Sequence, residues 1–331
     1  MATATALRER LPGLGFLVVL AVLAHLLAGV LPALSPLIVA VALGALVANT
    51  LGKPDWAAPG IGLGSLSLET GIVLLGASVS LAEVRASGPL VVGLVVVTVA
   101  AGVLSVELLA RRGFGLRDKT ASLLAAGSSI CGVSAAAAVA GTIDADGDQL
   151  THVVATILLF DAATLLAFPV AGDLLGLTGK QFGIWAGLSM FSTGPVAAAG
   201  FAHSAVAGRW ATVTKLTRNS LLGVVALAYA VRYATGDTRS PEFRRIVTEF
   251  PKFLVGFFLV AAVANAGLLS DGTLSTIDIA ADWLFTLAFV GLGFDIRLAE
   301  MRDTGLSPTL VVLVHLLVVS GVTLLAVTTL F

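Results

Sequence analysis

Two stretches decide how this chain reads: Ala125–Gly141 (AAGSSICGVSAAAAVAG) and Ser189–Gly200 (SMFSTGPVAAAG). Both are apolar enough to lie in a bilayer, and both are interrupted by Gly, Ser, Thr or Pro. A helix broken inside hydrocarbon leaves backbone N–H and C=O groups with no water to bond. Such a break survives only where protein or a polar cavity satisfies it. Paired breaks of this kind build the midplane substrate sites of many secondary transporters, and they point to that class here.

The composition fixes the solvent. Of 331 residues, 57% are hydrophobic and 12% charged, and the mean hydropathy is +1.02, which no water-exposed surface can accommodate. A net charge of −1 argues against a nucleic-acid partner. Cys131 stands alone and His25, His152, His203 and His315 are scattered, so neither a disulfide nor a metal site is read, and no cofactor is implied.

Apolar runs fall at about 11–31, 37–48, 67–82, 89–110, 119–141, 150–172, 181–202, 211–231, 253–269, 277–294 and 308–331. The expectation is an all-α integral membrane protein of about eleven transmembrane helices, two of them broken, in a single domain over residues 1–331. With eleven crossings, fifteen of the 19 Lys and Arg residues fall in loops on the N-terminal side and only Arg85 and Arg209 opposite, while Lys215 and Arg218 lie inside a span. The positive-inside rule then puts the N-terminus in the cytoplasm and the C-terminus outside the plasma membrane.

The chain also repeats itself. Leu81-Ala82-Glu83-x-Arg85-x-x-Gly88 returns as Leu298-Ala299-Glu300-x-Arg302-x-x-Gly305, and Leu75-Gly76 as Leu292-Gly293, both 217 residues on. Val47-Ala48-Asn49 returns 216 residues on as Val263-Ala264-Asn265. Segments 37–110 and 253–331 would therefore be copies in opposite orientation, an inverted repeat. The two broken stretches resemble each other at an offset of 60, yet they would point the same way if each crosses the bilayer. The sequence does not reconcile the two relations.

Ser128, Ser129, Cys131, Gly132 and Ser134 surround the first break, and Ser192, Thr193 and Gly194 the second, with Pro195 following in a first turn. Ser or Gly at an N-cap would restart each chain as a half-helix whose free N–H groups favour an anion. The plainer alternative is that small residues let helices pack closely. Lys215 and Arg218, three apart on one helix face, would draw an anion into the cavity or else snorkel to the interface. Asp161, in mid-span, would carry a proton, help bind Na⁺, or pair with one of those cations.

GSSICGVSAAAAVA, ATILLF, FGIWAGLS, VAAAGFAHS, ATVTKLTRN and the duplicated LLG…LAE segment together resemble a family of prokaryotic membrane proteins named, by inference, as sulfate exporters. The resemblance runs from about the second span to the C-terminus. It implies an inverted-repeat carrier related in architecture to bile acid symporters and sodium–proton antiporters. Where that family usually carries a His-acid-x-x-Gln cluster, this chain has Phe191, Ser192 and Pro195, and Asp161 is read as a partial replacement for the lost charge. The expected activity is alternating-access transport of a small anion, sulfate or a related sulfur oxyanion, without enzymatic chemistry. The alternatives are a proton- or Na⁺-coupled carrier of another small solute and a membrane protein without transport.

Overall fold

The computed structural model describes residues 2–30, 35–233, 252–297, 299 and 305–331. Leu298, Glu300 and Arg302 of the repeated motif, and the loop cations Arg239, Arg244 and Arg245, lie outside the described residues. In chain order the helices are α1 (Ala2–Val30), α2 (Pro36–Thr50), α3 (Ala58–Ile61), α4 (Leu63–Leu75) and α5 (Leu81–Leu108). There follow α6 (Asp118–Ser129), α7 (Val133–Ile143), α8 (Gly147–Leu174), α9 (Gly179–Ser189) and α10 (Thr193–His203). The last are α11 (Ala205–Asn219), α12 (Leu222–Tyr233), α13 (Lys252–Asn265), α14 (Asp271–Asp295) and α15 (Leu306–Leu330).

Among the described residues six helical stretches are long and apolar enough to cross a membrane, and shorter apolar helices accompany them. Large apolar side chains such as Leu104, Leu166, Leu317 and Leu325 stay more than half exposed, as befits a surface solvated by lipid. The all-helical membrane class is as expected. The chain divides into two compact units, Met1–Ala86 with Lys252–Ala299, and Ser87–Pro251 with Glu300–Phe331.

In the first unit α14 lies between α2 and α4. Bare glycines let the backbones touch: Gly44 faces Gly293, and Gly64 faces Gly291. The repeated residues of this unit make the same contacts in exchange. Asn49 at the end of α2 donates through Nδ2 to Ile296 O (2.7 Å) and Ala45 O (2.8 Å). Asn265 at the end of α13 donates to Val79 O (2.8 Å) and Ala261 O (2.8 Å). A Cβ on Gly293 would stand 2.3 Å from Val41 O, and one on Gly76 would stand 2.4 Å from Phe257 O. Each copy's asparagine thus holds the carbonyl that follows the other copy's Leu-Gly.

In the second unit the sequence reading needs correction. Lys119, in the first turn of α6, donates to Asp144 O just past the end of α7, at 2.5 Å. Two collinear half-helices of 12 and 11 residues would separate those points by about 34 Å. A lysine side chain reaches only about 6 Å. α6 and α7 therefore form a hairpin that enters and leaves on one face.

α9 and α10 do the same. A Cβ on Gly179, where α9 begins, would meet Ser204 Oγ at 2.7 Å just beyond the end of α10. α11 then runs back beside α9, with Gly183 against Ala207 and Gly187 against Ala211 and Thr214. Runs 119–141 and 181–202 are thus each a hairpin of two short helices and not one broken helix running straight through. Their half-length helices carry the hydropathy of a whole span, which is why the sequence reads as one.

α8, 28 residues long and about 42 Å from end to end, starts at the open end of the first hairpin and finishes at that of the second. The two hairpins accordingly open at opposite ends of this unit. At the first opening, Arg111, in the turn of helix that follows α5 (Leu109–Gly113), pairs with Glu107 and Asp118 and donates to Ser122 and Tyr233. At the second, Lys180 donates to Ser87 Oγ at 2.6 Å and lies 5.0 Å from the Phe331 ring. The run at 211–231 is the α11–α12 pair, with a turn at Ser220 and Leu221.

In a Cys131→Ala background, Lys119→Cys and Ala145→Cys should react with an impermeant thiol reagent from one membrane face, and Lys180→Cys and Val206→Cys from the other. Labelling of positions 119 and 145 from opposite faces would restore the crossing reading. Separately, Gly76→Ala and Gly293→Ala should each destabilise the protein by about 1–3 kcal/mol, because the new methyl meets backbone. Gly321→Ala, with nothing within 4 Å, should not lower the thermal midpoint.

Candidate functional site

The tips of the two hairpins meet. Gly132, at the N-cap of α7, has φ +71°, a conformation that glycine adopts without steric cost. A Cβ there would lie 1.9 Å from Ser192 Oγ, so the absence of a side chain lets the tips touch. Ser192 takes the N-cap position of α10 in extended conformation, and its side chain makes no capping bond.

A helix that ends inside the bilayer leaves its last carbonyls without donors. Here α11 supplies them. Lys215 Nζ donates to Ile130 O (2.8 Å) in the first tip and Met190 O (3.0 Å) in the second. Arg218 Nε and Nη2 donate to Ser129 O (2.8 Å) and Ser128 O (2.7 Å), and Nη1 to Leu188 O and Met190 O (both 2.8 Å) and Gly187 O (3.3 Å). Both cations are fully buried. They clasp the two tips together and do not snorkel.

Asp161, at the middle of α8 and 3% exposed, accepts at Oδ1 a hydrogen bond from Ser192 N at 3.0 Å. Among the described residues it forms no ion pair with Lys215 or Arg218. Thr193 Oγ1 accepts from Asn219 Nδ2 at 3.0 Å, and Gly194 is buried in the first turn. Cys131 is buried between the clasped Ile130 and Gly132.

Ser128 and Ser129 are buried at the end of α6. Their carbonyls, not their hydroxyls, meet Arg218. Ser134 stands apart, exposed on the outer side of α7. Ser189 Oγ bonds Thr323 Oγ1 at 2.8 Å, whereas His203 lies at the open end of its hairpin beside Asp173.

Several buried polar atoms at the tips have no protein partner: Ser129 Oγ, Asp161 Oδ2, Ser192 Oγ, Asn219 Oδ1 and His315 Nε2. Orphaned buried atoms each cost about 1–3 kcal/mol, and their concentration at one place marks where a solute or water would be held. Asn219 and His315 escaped the sequence reading. His315 comes from α15, distant in sequence, and stacks on Phe191 with ring centroids 6.2 Å apart. Asn219 follows Arg218 directly, and its position beside two charges was the only cue.

Comparison with known proteins assigns the family. The model for conserved hypothetical protein 698 matches residues 12–312. The chain belongs to that family. A UPF0324 membrane protein of Nitratidesulfovibrio vulgaris is 31% identical over 320 residues, 92% of this chain and 89% of that protein. One from Agrobacterium fabrum is 32% identical over 273 residues (82% and 78%), and one from Corynebacterium glutamicum 30% over 305 residues (91% and 87%). No solved structure matches the chain.

Arg218→Lys should lower stability by more than about 3 kcal/mol, since one ammonium cannot replace donors to carbonyls of both tips and each abandoned carbonyl is costly. Gly132→Ala should destabilise by a comparable amount through its left-handed φ and its collision with Ser192. Thermal unfolding of the purified variants checks both, and an Arg218→Lys midpoint within a degree of the parent would rule out the clasp.

Proposed function

We propose that this chain is a secondary carrier of a small anion, with the meeting hairpin tips as its substrate site. The observation that carries the reading is the charge there. Lys215 and Arg218 bring two formal positive charges, and Asp161 brings one negative. One positive charge is left uncompensated in the interior, where an isolated ion is costly. A bound anion balances it. The N-terminal ends of α7 and α10 direct free N–H groups to the same place, and Ser129 and Ser192 hold hydroxyls without protein partners.

In this reading Lys215 and Arg218 fix the sign of the site, while Ser128, Ser129, Cys131, Gly132, Ser192, Thr193 and Gly194 line it and Asp161 is the coupling group. Ser134 contributes to the half-helix restart and not to the lining. Sulfate or a related sulfur oxyanion fits the charge. Nine crossings (α1, α2, α3–α4, α5, α8, α11–α12, α13, α14 and α15) and two re-entrant hairpins replace the eleven crossings. Among the Lys and Arg residues only Lys180 then changes side, joining Arg85 and Arg209, so an N-in, C-out arrangement in the plasma membrane still satisfies the positive-inside rule.

The inverted repeat has two parts. The exchanged Asn49 and Asn265 contacts support one, and the hairpins opening at opposite ends of α8 support the other. Alternating access follows if each tip is exposed to its own face in turn.

Stabilisation of the detergent-purified protein by sulfate, sulfite, thiosulfate, taurine, small carboxylates and Na⁺ tests the reading. Binding at a hundred times Kd adds about 2.7 kcal/mol. One anion should raise the thermal midpoint in a saturable way. Ser192→Ala, which keeps the backbone N–H that Asp161 accepts from, should weaken that shift more than it lowers the midpoint of the free protein. Stabilisation by Na⁺ alone, or by nothing, defeats the anion-carrier reading.

A further inference from the structure

Resting on the carrier reading, we infer that the coupling ion is the proton, and that Asp161 and His315 are its two acceptors, one on each side of the second hairpin tip. They touch consecutive residues of that tip. Asp161 holds Ser192 through its backbone N–H, and the His315 ring lies along Phe191 at an interplanar angle of 18°. Each keeps one polar atom without a partner, Asp161 Oδ2 and His315 Nε2.

The bonds already made decide what those atoms do. Asp161 Oδ1 is committed to an N–H donor, so a proton taken up by the carboxylate goes to Oδ2 and leaves a neutral acid. His315 Nε2 has no protein partner, so in the neutral ring protonated at Nδ1 it presents a lone pair that can become an imidazolium N–H. Gly102 on α5 makes the room. A Cβ there would stand 2.8 Å from Ser129 Oγ and 3.2 Å from His315 Cε1, so imidazole and hydroxyl share one space bordered by bare backbone.

The other charged groups around this space are already engaged. Lys215 and Arg218 on α11 are bound to carbonyls of the two tips. Glu107 at the end of α5 and Arg111 in the turn that follows it pair with each other. Asp118 and Lys119 of α6 and Lys180 of α9 lie at the open ends of the hairpins. Cys131, between Ile130 and Gly132, is the remaining titratable group at the tips. Each proton gained by Asp161 or His315 makes the site more positive and favours an anion. By linkage, a bound anion favours the protons to the same degree.

The first arm of the test needs no substrate. In purified protein, the carboxylic acid band of Asp161 in the infrared spectrum and the ¹⁵N resonance of His315 should change with pH, and Asp161→Asn and His315→Gln should each remove its own signal. The same measurements on the unaltered protein serve if either variant fails to fold. In the second arm, addition of sulfate to weakly buffered protein should take up protons from a pH indicator. The uptake should be reduced in each variant and lost in the double variant.

Absence of both pH-dependent signals in folded protein, or uptake unchanged in the variants, overturns the inference. So does sulfate binding that requires Na⁺ and moves no proton. If both groups titrate yet no anion binds, the acceptor assignment stands and the anion-carrier reading alone falls.

Discussion

Arg218 and Lys215 solve the problem that the two broken segments create. A half-helix that stops in hydrocarbon exposes carbonyls with nothing to bond, and this fold ends two of them at one place. Donors from two side chains one turn apart on α11 reach both sets of carbonyls. A neutral amide would offer too few N–H groups. The guanidinium's planar fork suits several acceptors converging from two directions. Hairpin depth, tip contact and the position of Asp161 opposite Ser192 all presuppose this clasp.

The clasp also separates two roles that the sequence merges. Three residues apart on a helix, Lys215 and Arg218 read equally well as ligands for an anion or as snorkelling cations. In the fold their observed hydrogen bonds go to backbone, so in the proposed carrier they would act on a solute mainly through charge and through the tips they position. The hydroxyls and the half-helix N–H groups would then be left for direct contact. Glycine, serine and proline announced where the helices break, and a small residue at the tip contact was legible at Gly132. His315 was not, because a single histidine in an apolar run has no local pattern, and only the packing of α15 against the hairpin reveals it.

Whether a broken segment crosses or turns back was equally hidden. Half-helices of 11 or 12 residues carry the same apolar character in either arrangement, and three connecting residues serve both. The contact of Lys119 with Asp144 decides, and it also removes the conflict between the two repeat relations. With the hairpins turned back, a single crossing, α8, lies between them, so segments related at an offset of 60 are inverted. With two crossings removed, the relation at 217 would be inverted as well, because equivalent spans then lie five crossings apart instead of seven, still an odd number. In the first unit the exchange between Asn49 and Asn265 gives that second relation a physical form: each copy satisfies a carbonyl of the other, so neither could be built alone.

The sign of the site follows from what cancels. A half-helix end carries about half an elementary charge, positive at the N-terminus and negative at the C-terminus. Two ends of each kind meet at the tips, α6 and α9 finishing there and α7 and α10 starting, so the four dipoles nearly offset one another. What remains is set by side chains, and Asp161 neutralises only one of the two cations. In the proposed carrier the choice of solute would therefore rest on three ionisable residues and not on the broken helices as such. The same scaffold with a second carboxylate in place of His315 would be formally neutral at its centre, and the anion preference that we propose would be lost.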